Sequence, residues 1–360
     1  MKTIRITIVA MLLFVFLFSQ IVQSFSSASS NNGKGNTPLQ QEIPDGFPMP
    51  HYKFEQNKLT QEGFDLGRKL FYDGRLSKDG NFSCGSCHQQ FAAFSTYDHS
   101  FSHGFNNSST QRNAIALFNL AWQKEFHHDG GINHLEVQPL APLTSPNEMA
   151  ETMNTIIQKL KKEKDYRKMF KSSFGDEKIT GQRILKALAQ FTGSIVSADS
   201  KYDRMKKGKA TFTPYEERGY LLYKTNCASC HPEPLFTDLS YRNIGLSLDT
   251  FLNDFGRMKI TGNKEDSLKF KVPSLRNISV SAPFMHDGRY QSIKACVEHY
   301  GNKINKSTTL DSLLQNGIRF NRAQTVDLIA FLRTLTDSTL LKSNRFSDPE
   351  NKSFNNIDKH

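Results

Sequence analysis

Two pentapeptides carry the chemistry of this chain: Cys84-Gly85-Ser86-Cys87-His88 and Cys227-Ala228-Ser229-Cys230-His231. Each is a Cys-x-x-Cys-His, the spacing at which two thiols form thioethers to the edge of a c-type haem. The histidine that follows is then held under the ring, where its imidazole ligates iron. Paired Cys-x-x-Cys knuckles also bind zinc, but zinc sites do not need a histidine directly after both knuckles. A thioredoxin-like dithiol calls for one motif in a βαβ context, which is absent, and two structural disulfides suit an exported chain without explaining the histidines. The sequence therefore predicts two covalently bound haem c groups, with Cys84, Cys87, Cys227 and Cys230 holding the rings and His88 and His231 the iron. The fifth cysteine, Cys296, has no partner left and reads as a small buried side chain.

The rest of the chain must deliver these loops. Lys2 and Arg5 precede an apolar run from Ile8 to Val22, and small polar residues follow to Ser30. This is the pattern of a secretory signal peptide over residues 1–30, short for a membrane span, with an uncleaved membrane anchor as the alternative. Covalent haem is attached outside the bacterial cytoplasm, so a periplasmic location is expected. The formal charge is +11. The Lys and Arg are scattered, with no tract dense enough to follow a phosphate backbone, which argues against nucleic acid. A basic docking face for an acidic redox partner stays open beside a plain solvated surface.

Residues 31–58 are rich in Asn, Gly, Ser, Gln and Pro and read as a linker or N-terminal arm. From Leu59 the pattern is helical. Gly67-Arg68-Lys69-Leu70-Phe71-Tyr72 precedes the first haem motif and Gly219-Tyr220-Leu221-Leu222-Tyr223 the second, a weak internal repeat. Ile184, Leu188, Phe191 and Ile195 recur at helical spacing, as do Leu328, Leu332 and Leu335. Ser145-Pro146-Asn147-Glu148 and Thr213-Pro214-Tyr215-Glu216 read as capping boxes that start helices. Alternating strand patterns are nearly absent. The expected fold is all-α with long loops: two cytochrome c-like domains at 59–205 and 206–340, then a polar tail at 341–360.

Several segments resemble the bacterial di-haem cytochrome c peroxidases and their MauG-type relatives. They are the run from Leu66 to Ser77, Arg112-Asn113, Phe118-Asn119, His128-Asp129-Gly130, the run from Lys271 to Asn277, and the run from Ala282 to Gly288. The resemblance implies that the first haem meets hydrogen peroxide and the second receives electrons from a small donor, a cytochrome c or a cupredoxin. It implies a calcium ion between the domains, contacted at Asn113, Ser281 and Pro283, and allows a homodimer. Glu148 matches the family's distal carboxylate and Gln138 its neighbouring amide, although Glu148 alone could be a capping residue. His103 matches a removable sixth ligand of the first haem, with His99 as competitor. Tyr300 stands where the peroxidases have a Met ligand to the second haem and the MauG type has Tyr; His299 is its competitor. His128 stands where the family usually has Trp, and the only tryptophan, Trp122, lies nearby in sequence. His286 reads as structural. The resemblance thus implies a peroxidase. A MauG-like oxidase of a protein or organic substrate is the alternative, and a di-haem electron carrier without chemistry is the third reading.

Overall fold

A computed structural model describes residues 36–350. The expected signal peptide and residues 351–360 lie outside this range. Among the described residues no helix is long and apolar enough to cross a membrane.

Helices dominate. The longer ones are α1 (Gln61–Tyr72), α2 (Met153–Lys162), α3 (Lys164–Phe174), α4 (Gly181–Thr192), α5 (Lys201–Lys206), α6 (Pro214–Asn226), α7 (Ile293–Asn302) and α8 (Arg322–Arg333). The one sheet among the described residues is the antiparallel pair Tyr241–Arg242 and Phe270–Lys271, in register Tyr241↔Lys271. The scarcity of alternating sequence explains this: nothing else offers a strand a half-buried face.

The architecture is a helix pair used twice. α1 packs on α4, and α6 packs on α8. Each pair meets at a glycine. A Cβ on Gly67 would lie 2.0 Å from the Ala187 carbonyl, and one on Gly219 would lie 2.0 Å from that of Asp327. Only glycine permits so close a backbone approach. The first pair buries Phe71, Phe94 and Phe191; the second buries Tyr223, Phe236 and Phe331. α6 begins as expected, with Thr213 and Glu216 forming a reciprocal capping box and Pro214 in the first turn. The other expected box does not start a helix. Ser145 ends the short helix Leu140–Thr144, and Glu148 follows in a turn closed by Glu148 N–H to Ser145 O at 3.1 Å. The pattern Ser-x-x-Glu is satisfied by one turn, and no apolar periodicity continues it.

The arm and the tail both lie on the first helix pair. Leu39 N–H donates to Leu59 O at 3.0 Å, and Trp122 Nε1–H donates to Pro48 O at 2.7 Å. At the other end, residues 341–350, the described part of the expected polar tail, are docked on the same core. Phe346 is 7 % exposed and sits against Phe64, Phe94 and Phe191. The Tyr72 hydroxyl donates to its carbonyl at 2.7 Å, and Gln90 Nε2 donates to Leu340 O and Ser343 O. One buried aromatic among polar residues leaves no periodic signal, so the anchor is silent in the sequence.

Charged groups tie the two halves around the space between them. Arg112 donates to Asp129 at 2.6 Å and, through two nitrogens, to Asp254. Lys271 Nζ donates to Gln123 Oε1 at 2.8 Å and to Glu125 O at 2.6 Å. Burial lowers the Lys271 ammonium to about 8, against the pull of Glu125 and Asp129.

Candidate active site

Each Cys-x-x-Cys-His lies at the end of its helix pair, and the two histidines are held alike. His88 Nδ1 lies 3.0 Å from Phe94 O. His231 Nδ1 lies 3.1 Å from Phe236 O and 3.0 Å from Pro273 O. A carbonyl only accepts, so Nδ1 carries the proton in both rings and Nε2 keeps its lone pair. Burial pushes His88 down to about 4 and lowers His231, so both imidazoles are neutral. A metal-ligating histidine needs this state, with its second nitrogen fixed by a carbonyl. All four motif cysteines are free thiols. Burial pushes Cys84 and Cys227 up to about 12, which keeps them as thiols in an apolar setting. The residues present therefore fit two covalent haems: paired thiols at one edge and a neutral imidazole behind.

Two cavities meet these loops. The first is lined by Cys84, Cys87, His88, His103, Gln138 and Glu148. Glu148 and Gln138 both line it. Burial raises the Glu148 carboxyl above its ordinary range, and a Ser145 hydrogen bond opposes this only partly. His103 reaches the rim of this cavity. His99 does not line it; its ring lies 5.4 Å from that of His103, and its Nδ1–H points at Tyr97 O.

The second cavity, of about 310 Å³, is lined by Cys227, Cys230, His231 and Tyr300. It also reaches Asn113, Ser281 and Pro283. Tyr300 is thereby separated from its competitor. His299 turns away, with Nε2 at 2.8 Å from Ile244 O and Nδ1 at 3.2 Å from the Tyr290 hydroxyl. His128 lines the same cavity and is pushed down to about 3 by burial, despite an Nε2 hydrogen bond to Asn113 O. Trp122 lines it too. His286 stacks on Phe270 at 3.7 Å and leaves its buried Nδ1 without a partner.

Cys296 is buried as expected, but it also lines the second cavity. Sequence reasoning missed this. The signal was present: Cys296 and Tyr300 are four apart on α7, and residues four apart share a helix face. Met285 was missed as well and lines the same cavity, at a positive φ of 74° within its loop.

Two helix pairs, each ending in a Cys-x-x-Cys-His loop that faces a cavity, define a di-haem c-type oxidoreductase. The comparisons agree. A family model described as di-haem cytochrome c peroxidase matches residues 61–211. A methylamine utilization protein MauG of Methylorubrum extorquens is 35% identical over 81% of this chain and 82% of its own length. A cytochrome c551 peroxidase of Nitrosomonas europaea is 34% identical over 77% of this chain and 82% of its own length. The crystal structure of a MauG-like protein associated with microbial copper homeostasis aligns with a TM-score of 0.80 at 33% identity, covering 86% of this chain and 99% of that one. The chain belongs to the di-haem cytochrome c peroxidase and MauG family. That family consists of haem c oxidoreductases that act on peroxide, and its MauG-named and peroxidase-named members are similar to this chain to nearly the same degree.

Proposed function

We propose that the protein is a periplasmic di-haem peroxidase that reduces hydrogen peroxide to water with electrons from a cytochrome c or cupredoxin. The observation that carries this reading is the first cavity, where a buried carboxyl and an amide face the same space as His88 and two thiols. Residues 59–205 would form the peroxide-reacting half and residues 206–340 the electron-accepting half. Cys84, Cys87 and His88 would hold the first haem, and Cys227, Cys230, His231 and Tyr300 the second. When bound, haem supplies an iron that takes peroxide oxygen and stores oxidising equivalents. Glu148 takes a proton from one peroxide oxygen and returns it to the departing one, so that water leaves. The Gln138 amide orients the oxygens. His103, which lines the same cavity, would be the residue able to cap the first haem, and the loop that carries it would have to move to admit peroxide. Asn113, Ser281 and Pro283 would hold a calcium ion through oxygen ligands.

Haem-loaded protein given a reduced small c-type cytochrome and peroxide should oxidise two cytochromes for each peroxide consumed. An unreactive protein with two six-coordinate haems would instead be an electron carrier.

A second reading, a MauG-like oxidase, is favoured by Tyr300. It lines the second cavity together with His231 and both thiols of the second motif. Phenolate ligation favours ferric iron and lowers the potential. Tyr300→Phe should therefore raise the potential of the second haem in a spectroelectrochemical titration and alter its ferric spectrum. An unchanged potential and spectrum would remove Tyr300 as a ligand and, with it, the support for the second reading.

A further inference from the structure

Each motif histidine is fixed by a phenylalanine carbonyl, and each of these phenylalanines stands at a positive φ, 57° at Phe94 and 55° at Phe236. Ala93, just before Phe94, is at 57° as well. A residue with a Cβ enters the left-handed region at a cost and stays there only when its surroundings hold it. The turn presents the carbonyl to Nδ1, so whatever holds the turn also holds the histidine.

The two halves hold it differently. Around Phe236 stand Tyr202 at 4.8 Å, Tyr223 at 5.4 Å and the Arg276 guanidinium at 5.4 Å. Around Phe94 one support comes from the far end of the chain. The Phe346 ring lies 6.5 Å from that of Phe94 at 85°, and the Tyr72 hydroxyl fixes the Phe346 carbonyl at 2.7 Å. Gln90 opens the short turn Gln90–Ala92 that runs into Ala93. Its Nε2 donates to Leu340 O at 3.0 Å and Ser343 O at 2.8 Å. Residues 338–346 thus form a strap from the end of the second half to the histidine loop of the first. The root of the strap is tied too. Asp337 N–H donates to Asn277 Oδ1 at 2.8 Å, and Asn277 N–H donates to Leu335 O at 3.0 Å. Asn277 lies in the same loop as Pro273, whose carbonyl is the second acceptor of His231 Nδ1.

We propose that Phe346 and Gln90 are positioning residues for the first haem: the strap holds the left-handed turn at Ala93-Phe94 and, through the Phe94 carbonyl, sets how strongly His88 donates to iron. The inference rests on His88 being the iron ligand. A carbonyl that accepts from Nδ1–H makes the imidazole the stronger donor, which favours ferric iron and lowers the potential.

The test compares haem-loaded wild-type protein with Phe346→Ala and Gln90→Leu in a spectroelectrochemical titration that resolves the two haems. Loss of the strap contact should shift the first haem about tenfold toward ferrous iron, a rise of about 59 mV for a one-electron couple. The second haem should keep its potential. Phe346→Leu, which refills the space, should return the first potential toward the wild-type value. The sign separates this from plain loss of packing, because water entering the core stabilises the ferric charge and lowers the potential. An unchanged or lowered first potential, or two haems that shift together, overturns the role of the strap alone. Should Phe346→Ala fail to fold, Gln90→Leu carries the same expectation, since it removes two hydrogen bonds and leaves the aromatic core in place. A His88→Gly protein whose first haem keeps its wild-type spectrum and potential removes His88 as ligand, and the role of the strap falls with it.

Discussion

Replacing Glu148 by Gln should lower kcat/KM for peroxide by about 10²–10⁴-fold, the range in which a positioned acid–base group contributes. The haem content should not change, because Glu148 contacts neither thiol motif through any hydrogen bond. The substitution keeps the shape and hydrogen-bonding length of the side chain and removes only its capacity to take a proton. A reduction near 10³ is about 4 kcal/mol of barrier. The pH dependence follows from the raised carboxyl. Burial makes the proton harder to lose, so the acid form persists above the ordinary glutamate range. The ionised form is the one that accepts a proton from peroxide, so the wild-type rate should rise with pH through this raised pKa and level off above it. That limb should vanish in the Gln variant. The competing account makes Glu148 a turn residue whose backbone closes on Ser145. The turn uses the main-chain N–H, which Gln retains, so that account predicts full activity. Steady-state rates of the two proteins followed upward in pH from the ordinary carboxyl range of about 4 separate the two accounts.

The haem loops were legible because covalent attachment demands fixed spacing in one short segment. α4 and α8 were legible through their apolar periodicity and α1 and α6 through the repeated segment before each haem motif; that Gly67 and Gly219 let them cross in pairs was not. The first cavity was legible only through resemblance. Gln138 and Glu148 are ten residues apart on turns that no periodic pattern joins to the Cys84 loop. What stayed hidden were contacts made by solitary residues. Phe346 anchors the C-terminal segment with one ring, and Trp122 meets the second cavity because Pro48 of the arm holds its indole nitrogen. His299 and Tyr300 are neighbours in sequence and could not be told apart there. The helix settles it, since adjacent residues project about 100° apart and only one can face the cavity.

Arg276→Ala should destabilise the protein by about 3–5 kcal/mol, the cost of leaving one partner of a buried ion pair alone. Arg276 is 1 % exposed and donates through two nitrogens to Asp203 at 2.8 and 2.7 Å. Its Nε donates to Pro234 O at 2.8 Å, and its guanidinium lies 5.1 Å from the Phe47 ring and 5.4 Å from that of Phe236. One side chain thus joins the N-terminal arm, α5 and the loop after the second haem motif. Lysine could not replace it, because a single ammonium does not match a carboxylate edge and lacks the planar face for both rings. The pH dependence identifies the mechanism. Burial alone would raise the Asp203 carboxyl, but the Arg276 hydrogen bonds and charge outweigh it and hold the group below its ordinary range. A depressed pKa in the folded state contributes stability that is fully present above the unfolded value of about 3.9 and is lost as pH falls through the folded one. Without Arg276, only the Ser200 hydrogen bonds oppose burial, so the carboxyl rises and the deficit is largest when Asp203 is ionised. The deficit should therefore be full at neutral pH and shrink as pH falls toward the carboxyl range. Denaturant unfolding of the haem-loaded proteins across that range measures it, and a deficit below about 1 kcal/mol, the median scale of an exposed pair, or one that ignores pH, would discard the buried-charge account. The loop held by Arg276 includes Phe236, whose carbonyl fixes His231 Nδ1. The same substitution should thus loosen the tautomer lock of the second haem ligand, so a shifted potential of that haem, with the first unchanged, is the local signature that separates this contact from general loss of packing.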